Sequence, residues 1–305
     1  GAAGAAGLIG PEGFKLLGAA QNNLALAQED MGDYAAAEKT YNRAIAQRML
    51  GIGGDGAELA ITYANFASLL ANGGHFEDAE AYSKRAIEVL LKTRGAAHPE
   101  VATAKNNLAG LYRLWGKPDL AFPLYREALA IRETVFGPEH PDVADSLNSL
   151  GLLAVAQGQG AEAVSILNRA LSIRKKVLAP SHPSTAKTIG NLAAAELQLK
   201  DFSGADRHLT EAIALLAQAY GPDHPGIADG ESNLGYVHFA QQDWRAAARH
   251  FEIAMDILSR RTATAAGVLG GELGGKAASA VLQASPYAGA LRAYDRLPQD
   301  ERDAA

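Results

Sequence analysis

Four His-Pro pairs are the feature of this sequence whose residue types and spacing first suggest chemistry. The pairs recur every 42 residues. Their histidines are His98, His140, His182 and His224. Imidazole nitrogens bind zinc and act as general acids and bases, so an even series of histidines raises the hypothesis of a metal site. A zinc ion holds nitrogen ligands at about 2.0–2.1 Å, whereas packed helices lie about 8–10 Å apart. Equivalent histidines of successive repeats therefore cannot share an ion, and we expect no metal site.

The same pairs have a structural role at the start of helices. Proline is favoured at the first helical position because its missing N–H would be unpaired there and its φ angle already suits a helix. The sequence therefore predicts that a helix starts at each proline, with the histidine at or next to the N-cap. We expect Gly137 and Gly221 to end the preceding helices. Glu100 and Asp142, just after their prolines, suit the positive end of the helix dipole.

The residue patterns that carry catalysis are missing from the sequence. It contains no cysteine and no G-x-S-x-G, H-E-x-x-H or GxxxxGK[ST] motif. The histidines outside the His-Pro pairs show no metal-ligand spacing. They are His75, His208, His238 and His250. We therefore expect a chain that is not an enzyme and that holds no cofactor.

Composition and charge favour an all-helical repeat protein. Apolar residues make up 48% of the 305 residues and aromatic residues only 7%. Alanine is abundant, which suits close contacts between helices. The net charge of −6, without a long run of like charge, gives no reason to expect nucleic acid or a membrane surface as partner. No apolar run reaches the ~20 residues that span a bilayer.

The amino-acid usage also carries an expectation about location. The absence of cysteine fits a reducing compartment, and we expect a cytoplasmic protein. The sequence begins GAAGAAG without a methionine. A secretion signal removed ahead of residue 1 therefore stays an alternative.

An internal repeat of 42 residues organises most of the chain. Aligning the His-Pro pairs divides it into units 12–53, 54–95, 96–137, 138–179, 180–221 and 222–263. Two alanine columns hold in all six units, at Ala37 and Ala44 in the first. The residue after the second alanine is always Ile, Leu or Met. Because residues seven and eight apart share a helix face, each unit contains an amphipathic second helix.

A glycine marks the turn between the two helices of a unit. It stands at Gly32 in the first unit and at the equivalent place in the next three, two residues before Tyr34 or Phe76 in the first two units. Glycine tolerates the left-handed backbone conformation that closes a helix. Lys200 and Gln242 replace it in the last two units, so we expect strain or a different turn there.

These columns resemble those of the tetratricopeptide repeat. The shared features are an Asn-Leu pair in the first helix, such as Asn23-Leu24, then Gly-x-aromatic, then two alanines seven apart. The long unit and its G-P-x-H-P link resemble the kinesin-light-chain-like subclass. The resemblance implies an all-α, right-handed superhelical solenoid of six helix-turn-helix units. It also implies that the first helices line a concave groove for peptide segments of partner proteins.

The two ends of the chain lie outside the repeat. Residues 1–11 form a lead-in, and residues 264–305 match none of the columns. In this C-terminal part we expect a flexible glycine-rich break at 267–275, followed by helices at 276–285 and 287–297. A stack of repeats needs its last apolar face covered, so these helices are expected to cap the array or to connect it to a further domain.

Asparagines in the first helices are the main candidates for peptide binding. Asparagine is a mediocre helix former, but its amide donates and accepts hydrogen bonds and can therefore hold the backbone of an extended peptide. With the groove positions that the resemblance implies, the predicted peptide-binding residues are Asn22, Asn23, Asn65, Asn106, Asn107, Asn148, Asn191, Asn233, Arg113, Lys187, Tyr236 and Phe239. Ser149 interrupts the column. The amides can equally satisfy polar groups of neighbouring repeats, and the two aromatic residues can equally pack beneath the C-terminal segment.

The sequence favours a non-catalytic scaffold that binds a peptide segment of a partner protein in the concave groove. One alternative is the sensor or regulatory region of a larger signalling enzyme, such as a repeat protein with a caspase-like protease domain. Another is self-association through the repeat ends or the groove. Neither the partner nor the pathway is specified by the residues.

Overall fold

The chain folds into helical hairpins. The computed structural model describes residues 10–52, 56–179 and 181–269, together with residues 289, 292, 293 and 295–297. These residues form twelve α-helices and no β-strand. In chain order the helices are α1 (Pro11–Asp30), α2 (Tyr34–Ile52), α3 (Ala57–Asn72), α4 (Phe76–Arg94), α5 (Pro99–Leu114), α6 (Pro118–Phe136), α7 (Pro141–Ala156), α8 (Gly160–Val177), α9 (Pro183–Gln198), α10 (Phe202–Tyr220), α11 (Pro225–Ala240) and α12 (Trp244–Leu269).

Each repeat unit contributes one pair of helices, here called helix A and helix B. The odd-numbered helices are A helices and the even-numbered ones are B helices. The chain divides into two compact units, Gly1–Ser149 and Leu150–Ala305. Within the first unit α1 packs on α2, α3 on α4 and α5 on α6; within the second, α9 packs on α10 and α11 on α12.

The turn between helix A and helix B has the same construction in all six repeats. Gly32 adopts a φ angle of +80°, and the glycines of the next three repeats have φ angles of +71° to +81°. The next residue donates its N–H to a carbonyl five residues back, as from Asp33 to Gln28 at 2.9 Å. Lys200 (φ +60°) and Gln242 (φ +64°) keep this left-handed conformation without being glycine. The two turns are thus built like the others, and they carry the strain expected of residues with a Cβ.

The His-Pro pairs start A helices, which confirms their structural role. The Nδ1 atom of His98 accepts the backbone N–H of Glu100 at 3.2 Å, and Pro99 is the first helical residue. The same bond runs from Asp142 to His140 at 3.1 Å. Equivalent caps are made by His182 and His224. Each imidazole therefore satisfies one of the unpaired donors at a helix start.

Alanine columns form the contact between the helices of each hairpin. All twelve alanines of the two columns are buried. They are Ala37, Ala79, Ala121, Ala163, Ala205, Ala247, Ala44, Ala86, Ala128, Ala170, Ala212 and Ala254. Larger apolar side chains fill the space between them, as where Tyr41 stacks on Phe66 with ring centroids 5.6 Å apart. A methyl group at each column position lets the two backbones approach closely while water is excluded.

Buried arginines link some repeats to the next. Arg132 at the end of α6 donates to the Ser146 hydroxyl at 2.9 Å, the Asp142 carbonyl at 3.1 Å and the Thr103 hydroxyl at 3.0 Å. Burial lowers the pKa of the Arg132 guanidinium, and the carboxylates of Asp142 and Asp145 oppose that shift.

The arginine and its hydroxyl partner recur together along the repeat. Arg174 donates in the same way to the Thr188 hydroxyl and the Ser184 carbonyl. Where the arginine column holds Leu90, the hydroxyl column holds Ala104. In these two seams a hydroxyl of the next A helix accepts from the buried guanidinium, which offsets the cost of burying a charge. Arg48 of the same column is also buried and precedes Thr62, but its Nε atom has no partner among the described residues.

The C-terminal helix is longer than the sequence predicts. Helix α12 continues through Leu269, into the stretch 267–275 for which a glycine-rich break is predicted. The alanine-rich residues just before Gly267 are good helix formers and extend the helix. The rest of that stretch and the predicted helix at 276–285 lie outside the described residues. Of the predicted helix at 287–297, the described part includes Ala293, which is fully buried against Phe251 of α12.

Replacement of Lys200 by glycine is expected to stabilise the protein. Glycine adopts φ +60° without the steric cost of a Cβ, which is about 1 kcal/mol. Urea unfolding followed by circular dichroism should therefore show a higher midpoint for Lys200→Gly. The reverse change, Gly158→Lys, is the matched control and should lower the midpoint. An unchanged or lower midpoint for Lys200→Gly would show that the turn is unstrained.

A double-mutant cycle on Arg132 and Ser146 should be strongly non-additive. Arg132→Leu alone removes three hydrogen bonds and leaves buried acceptors, so we expect a loss of about 1–3 kcal/mol in unfolding free energy. The double variant Arg132→Leu/Ser146→Ala recreates the Leu90 and Ala104 pair of another repeat. It should recover part of that loss. Additive losses in urea unfolding would show that the two side chains act independently.

Candidate functional site

A cleft of about 290 Å³ lies along the A helices of the second and third repeats, within the first compact unit. Its walls come from α3 and α5, and its floor comes from α4 and α6. The polar lining residues are Ser68, Asn72, Ser83, Asn106, Asn107, Arg113 and Tyr125. Three of the predicted peptide-binding residues, Asn106, Asn107 and Arg113, are thus brought together.

One lining atom has an unused hydrogen-bonding capacity. The Oδ1 atom of Asn106 is shielded from solvent and accepts no hydrogen bond from the described residues. Such a buried acceptor costs roughly 1–3 kcal/mol while it stays unpaired. The side chain of the next residue, Asn107, is exposed beside it. The pair therefore offers an acceptor and an accessible amide on one side of the cleft.

The unpaired state of Asn106 has a local cause. In the first two repeats the amide of Asn65 donates to Asn22 Oδ1, the residue 43 positions earlier, at 3.2 Å. The position 43 residues after Asn106 is Ser149, which interrupts the asparagine column. Ser149 donates its hydroxyl to the Asp145 carbonyl of its own helix at 3.0 Å. The bond that satisfies Asn22 therefore has no counterpart at Asn106.

The floor and the far end of the cleft carry a phenol and a guanidinium. Burial raises the pKa of Tyr125, and the positive charge of the nearby Arg113 guanidinium opposes that rise. Gly110 lies above the ring, and a Cβ on it would be 3.6 Å from the Tyr125 hydroxyl. The absence of a side chain at Gly110 is what keeps this part of the cleft open.

The asparagines of the first repeat belong to a seam between repeats. Asn22 is buried, donates weakly to Asn23 at 3.4 Å and accepts from half-buried Asn65. The amides of Asn22 and Asn65 therefore bond to each other across neighbouring repeats, which is the alternative to peptide binding. Asn23 is exposed.

The remaining predicted polar residues are spread over other helices. Asn148 on α7 is buried, Asn191 on α9 is half-buried, and Lys187 on α9 is exposed. Asn233 on α11 lines a second cleft, of about 440 Å³, within the second compact unit. This cleft is mainly apolar, with lining residues such as Leu197 and Val237. None of these four lines the cleft of the first unit.

Tyr236 and Phe239 pack within the last repeat. The Tyr236 ring lies edge-on to Phe251 at 5.0 Å between centroids, and the Phe239 ring lies edge-on to Trp244 at 4.9 Å. Both contact the cluster that contains buried Ala293 of the C-terminal segment. The contacts of Tyr236 and Phe239 therefore fit packing beneath the C-terminal segment, which is the alternative to peptide binding.

Three of the four histidines outside the His-Pro pairs, His208, His238 and His250, contact carboxylates. The Nδ1 atom of His208 is 2.7 Å from Glu196, and that of His250 is 2.7 Å from Glu231. His238 stacks on His250 at 5.1 Å. Among the described residues no group of three or more His, Asp or Glu side chains is placed to hold a metal ion.

Two features of the structure were missed from the sequence. Gly110 shapes the cleft, and the sequence contained a signal for it, because the same column holds the larger side chains of Leu26, Leu152 and Tyr236 in other repeats. The paired columns of arginine and hydroxyl residues were also visible at the 42-residue period.

Within the described part of the chain, no helix has both the length and the apolar character required to cross a membrane.

Comparison with known proteins places the repeat in a family. The tetratricopeptide repeat family model matches residues 16–92, 74–134, 100–176, 142–218 and 185–260. No curated protein matches the sequence. Repeats of this family generally mediate protein–protein interactions, and they are typically non-catalytic.

Solved structures of repeat proteins have a similar fold. BtubC (BKLC) from P. vanneervenii is 26% identical, with a TM-score of 0.59, over 69% of this chain and 84% of that one. A Podosopora anserina kinesin-light-chain protein with nearly identical TPR-like repeats is 23% identical, with a TM-score of 0.56, over 68% of this chain and 98% of that one. The APC/C hetero-tetramer Cut9-Hcn1 contains a chain that is 15% identical, with a TM-score of 0.58, over 90% of this chain and 42% of that one. The chain therefore belongs to the tetratricopeptide repeat family, in a 42-residue form similar to kinesin-light-chain-like repeats.

Proposed function

We propose that this chain is a non-catalytic scaffold that binds an extended peptide segment of a partner protein in the cleft between α3 and α5. The observation that carries the proposal is the buried, unpaired Oδ1 atom of Asn106 in the lining of that cleft. Once the Asn106 amide turns toward the cleft, a peptide backbone N–H is the donor that its Oδ1 atom fits, and every residue except proline supplies one.

The other lining residues support a peptide as the ligand. The exposed Asn107 amide can donate to a backbone carbonyl and accept from a backbone N–H, whatever the side chains of the peptide are. Arg113 favours an acidic side chain or a C-terminal carboxylate at its end of the cleft. Small residues such as Ala64 and Gly110 leave room for the peptide main chain.

Filling the cleft at Gly110 is expected to weaken peptide binding without loss of fold. Peptides selected from a displayed random library against the wild-type chain are the probe, and their affinities are measured by fluorescence anisotropy. Gly110→Leu places in the cleft the side chain that Leu26 and Leu152 have in the same column, and leucine is a better helix former than glycine. We expect binding to weaken at least about tenfold, or 1.4 kcal/mol.

The matched control is Gly190→Leu, which changes another half-buried helical glycine with no neighbouring atoms near its Cβ position. It should leave peptide affinity unchanged, and circular dichroism should show that both variants stay helical. Equal affinities for the wild type and Gly110→Leu would refute the cleft as the binding site.

Restoring the asparagine ladder at Ser149 tests the role of Asn106. In Ser149→Asn the introduced amide can donate to Asn106 Oδ1, as Asn65 does to Asn22. The acceptor is then occupied, so we expect weaker binding of the selected peptides and a gain of about 1 kcal/mol in unfolding free energy. Ser149→Ala leaves Asn106 unpaired and should bind like the wild type. If the asparagine and alanine variants bind equally, Asn106 Oδ1 is not a ligand contact.

A further inference from the structure

Helix α1 exposes a face that every later A helix buries. Leu24 is 50% exposed, whereas its equivalents in the other five repeats are 1–5% exposed. Those equivalents are Phe66, Leu108, Leu150, Leu192 and Leu234. Leu17 is 36% exposed, and the residues of its column are 0–5% exposed, as at Leu59 and Val101. The first repeat thus has the apolar face of an internal repeat, but no described helix packs over it.

The preceding helix B covers this face in the internal repeats. Val101 of α5 lies in one cluster with Val89 and Leu90 of α4, and Leu59 of α3 packs with Ile45 of α2. No described residue precedes α1 except Gly10. A repeat face that meets only water usually has a polar surface, whereas the face of α1 presents leucines to solvent.

The last described repeat is covered by a segment that follows it. Phe251 and Ala247 of α12 are fully buried together with Ala293 of the C-terminal segment. A Cβ added to Gly289 would lie 2.6 Å from the Phe251 ring, which shows how closely that segment approaches. Head-to-tail stacking of copies would require this face to be free. Pairing of the α1 face with its own equivalent needs no other free face, because it makes a closed two-fold contact.

The residues along the α1 face are complementary to themselves in an antiparallel pair. In order they are Gly13, Leu17, Ala20, Leu24, Ala27 and Met31. Their spacing alternates four and three, which is the seam of two packed helices. When two α1 helices run antiparallel about residue 22, Leu17 lies opposite Ala27 and Leu24 lies opposite Ala20. Met31, which is 67% exposed, then lies opposite Gly13.

We propose that the chain forms a two-fold dimer in which the α1 face packs against the α1 face of a second copy. Large side chains of one copy enter the spaces left by small residues of the other all along the helix. Among the described repeats, α1 is the only A helix that exposes the residues of both columns, Leu17 and Leu24. The dimer covers both leucines. Because α1 contributes no residue to the cleft between α3 and α5, this proposal is independent of the proposed peptide binding.

Light scattering and sedimentation equilibrium of the full chain test the proposal. We expect the mass to rise with concentration from 31.8 kDa to twice that value. Leu24→Asp should stay monomeric at every concentration, with unchanged helicity and the unfolding midpoint of the dilute, monomeric wild type, because it places a charge in the pair interface. Leu120→Asp is the matched control, since Leu120 is 47% exposed on another helix, and it should dimerise normally.

Engineered cysteines test the antiparallel register, since the chain has no cysteine of its own. A Gly13→Cys chain mixed with a Met31→Cys chain should form a mixed disulfide, and neither chain alone should form a disulfide dimer. A wild-type chain that stays monomeric overturns the proposal, as does a dimer that persists in Leu24→Asp. A monomer that dimerises only after removal of residues 1–9 would also overturn it, because that segment would then be the cover.

Discussion

Each helical hairpin has an apolar face that only a neighbouring hairpin can cover, and this constraint underlies the whole structure. A pair of helices held by Ala37 and Ala44 cannot bury Leu24 or Ile45 by itself. Adding the next pair buries the following column and exposes a new one. The array therefore grows by contacts between neighbours.

Polar groups inside the seams obey the same constraint. The Arg132 guanidinium is buried between repeats only because Ser146, Asp142 and Thr103 accept its N–H groups. Another repeat meets the requirement with Leu90 and Ala104, which need no partner. The Oδ1 atom of Asn106 departs from this rule, as do a few other atoms such as Arg48 Nε, because it is buried without a partner among the described residues. It lies in a cleft, where a ligand can supply the missing donor.

The ends of the array differ in how they are covered. The segment that contains Ala293 closes the last repeat over Phe251, whereas α1 leaves Leu17 and Leu24 accessible. Self-association by the α1 face and peptide binding by the cleft would use separate surfaces of the first compact unit. A dimer of this kind would carry two equivalent clefts, so a partner with two peptide segments would bind with an increased effective concentration.

The sequence by itself determined the helices, their turns and their pairing. The proline of each His-Pro pair starts a helix, Gly32 ends one, and the alanine columns indicate which helix faces are in contact. Sequence can predict these features because each signal acts within a few residues of chain. It also identified the asparagine column, but not the different roles within it. Asn65 and Asn107 occupy the same column, yet one bonds to Asn22 and the other is exposed beside Asn106. That difference depends on which side chain the adjacent repeat presents across the seam, Asn22 in one case and Ala64 in the other. Only the tertiary structure brings residues 43 positions apart within hydrogen-bonding distance, and so only it decided which amides are satisfied and where the cleft opens.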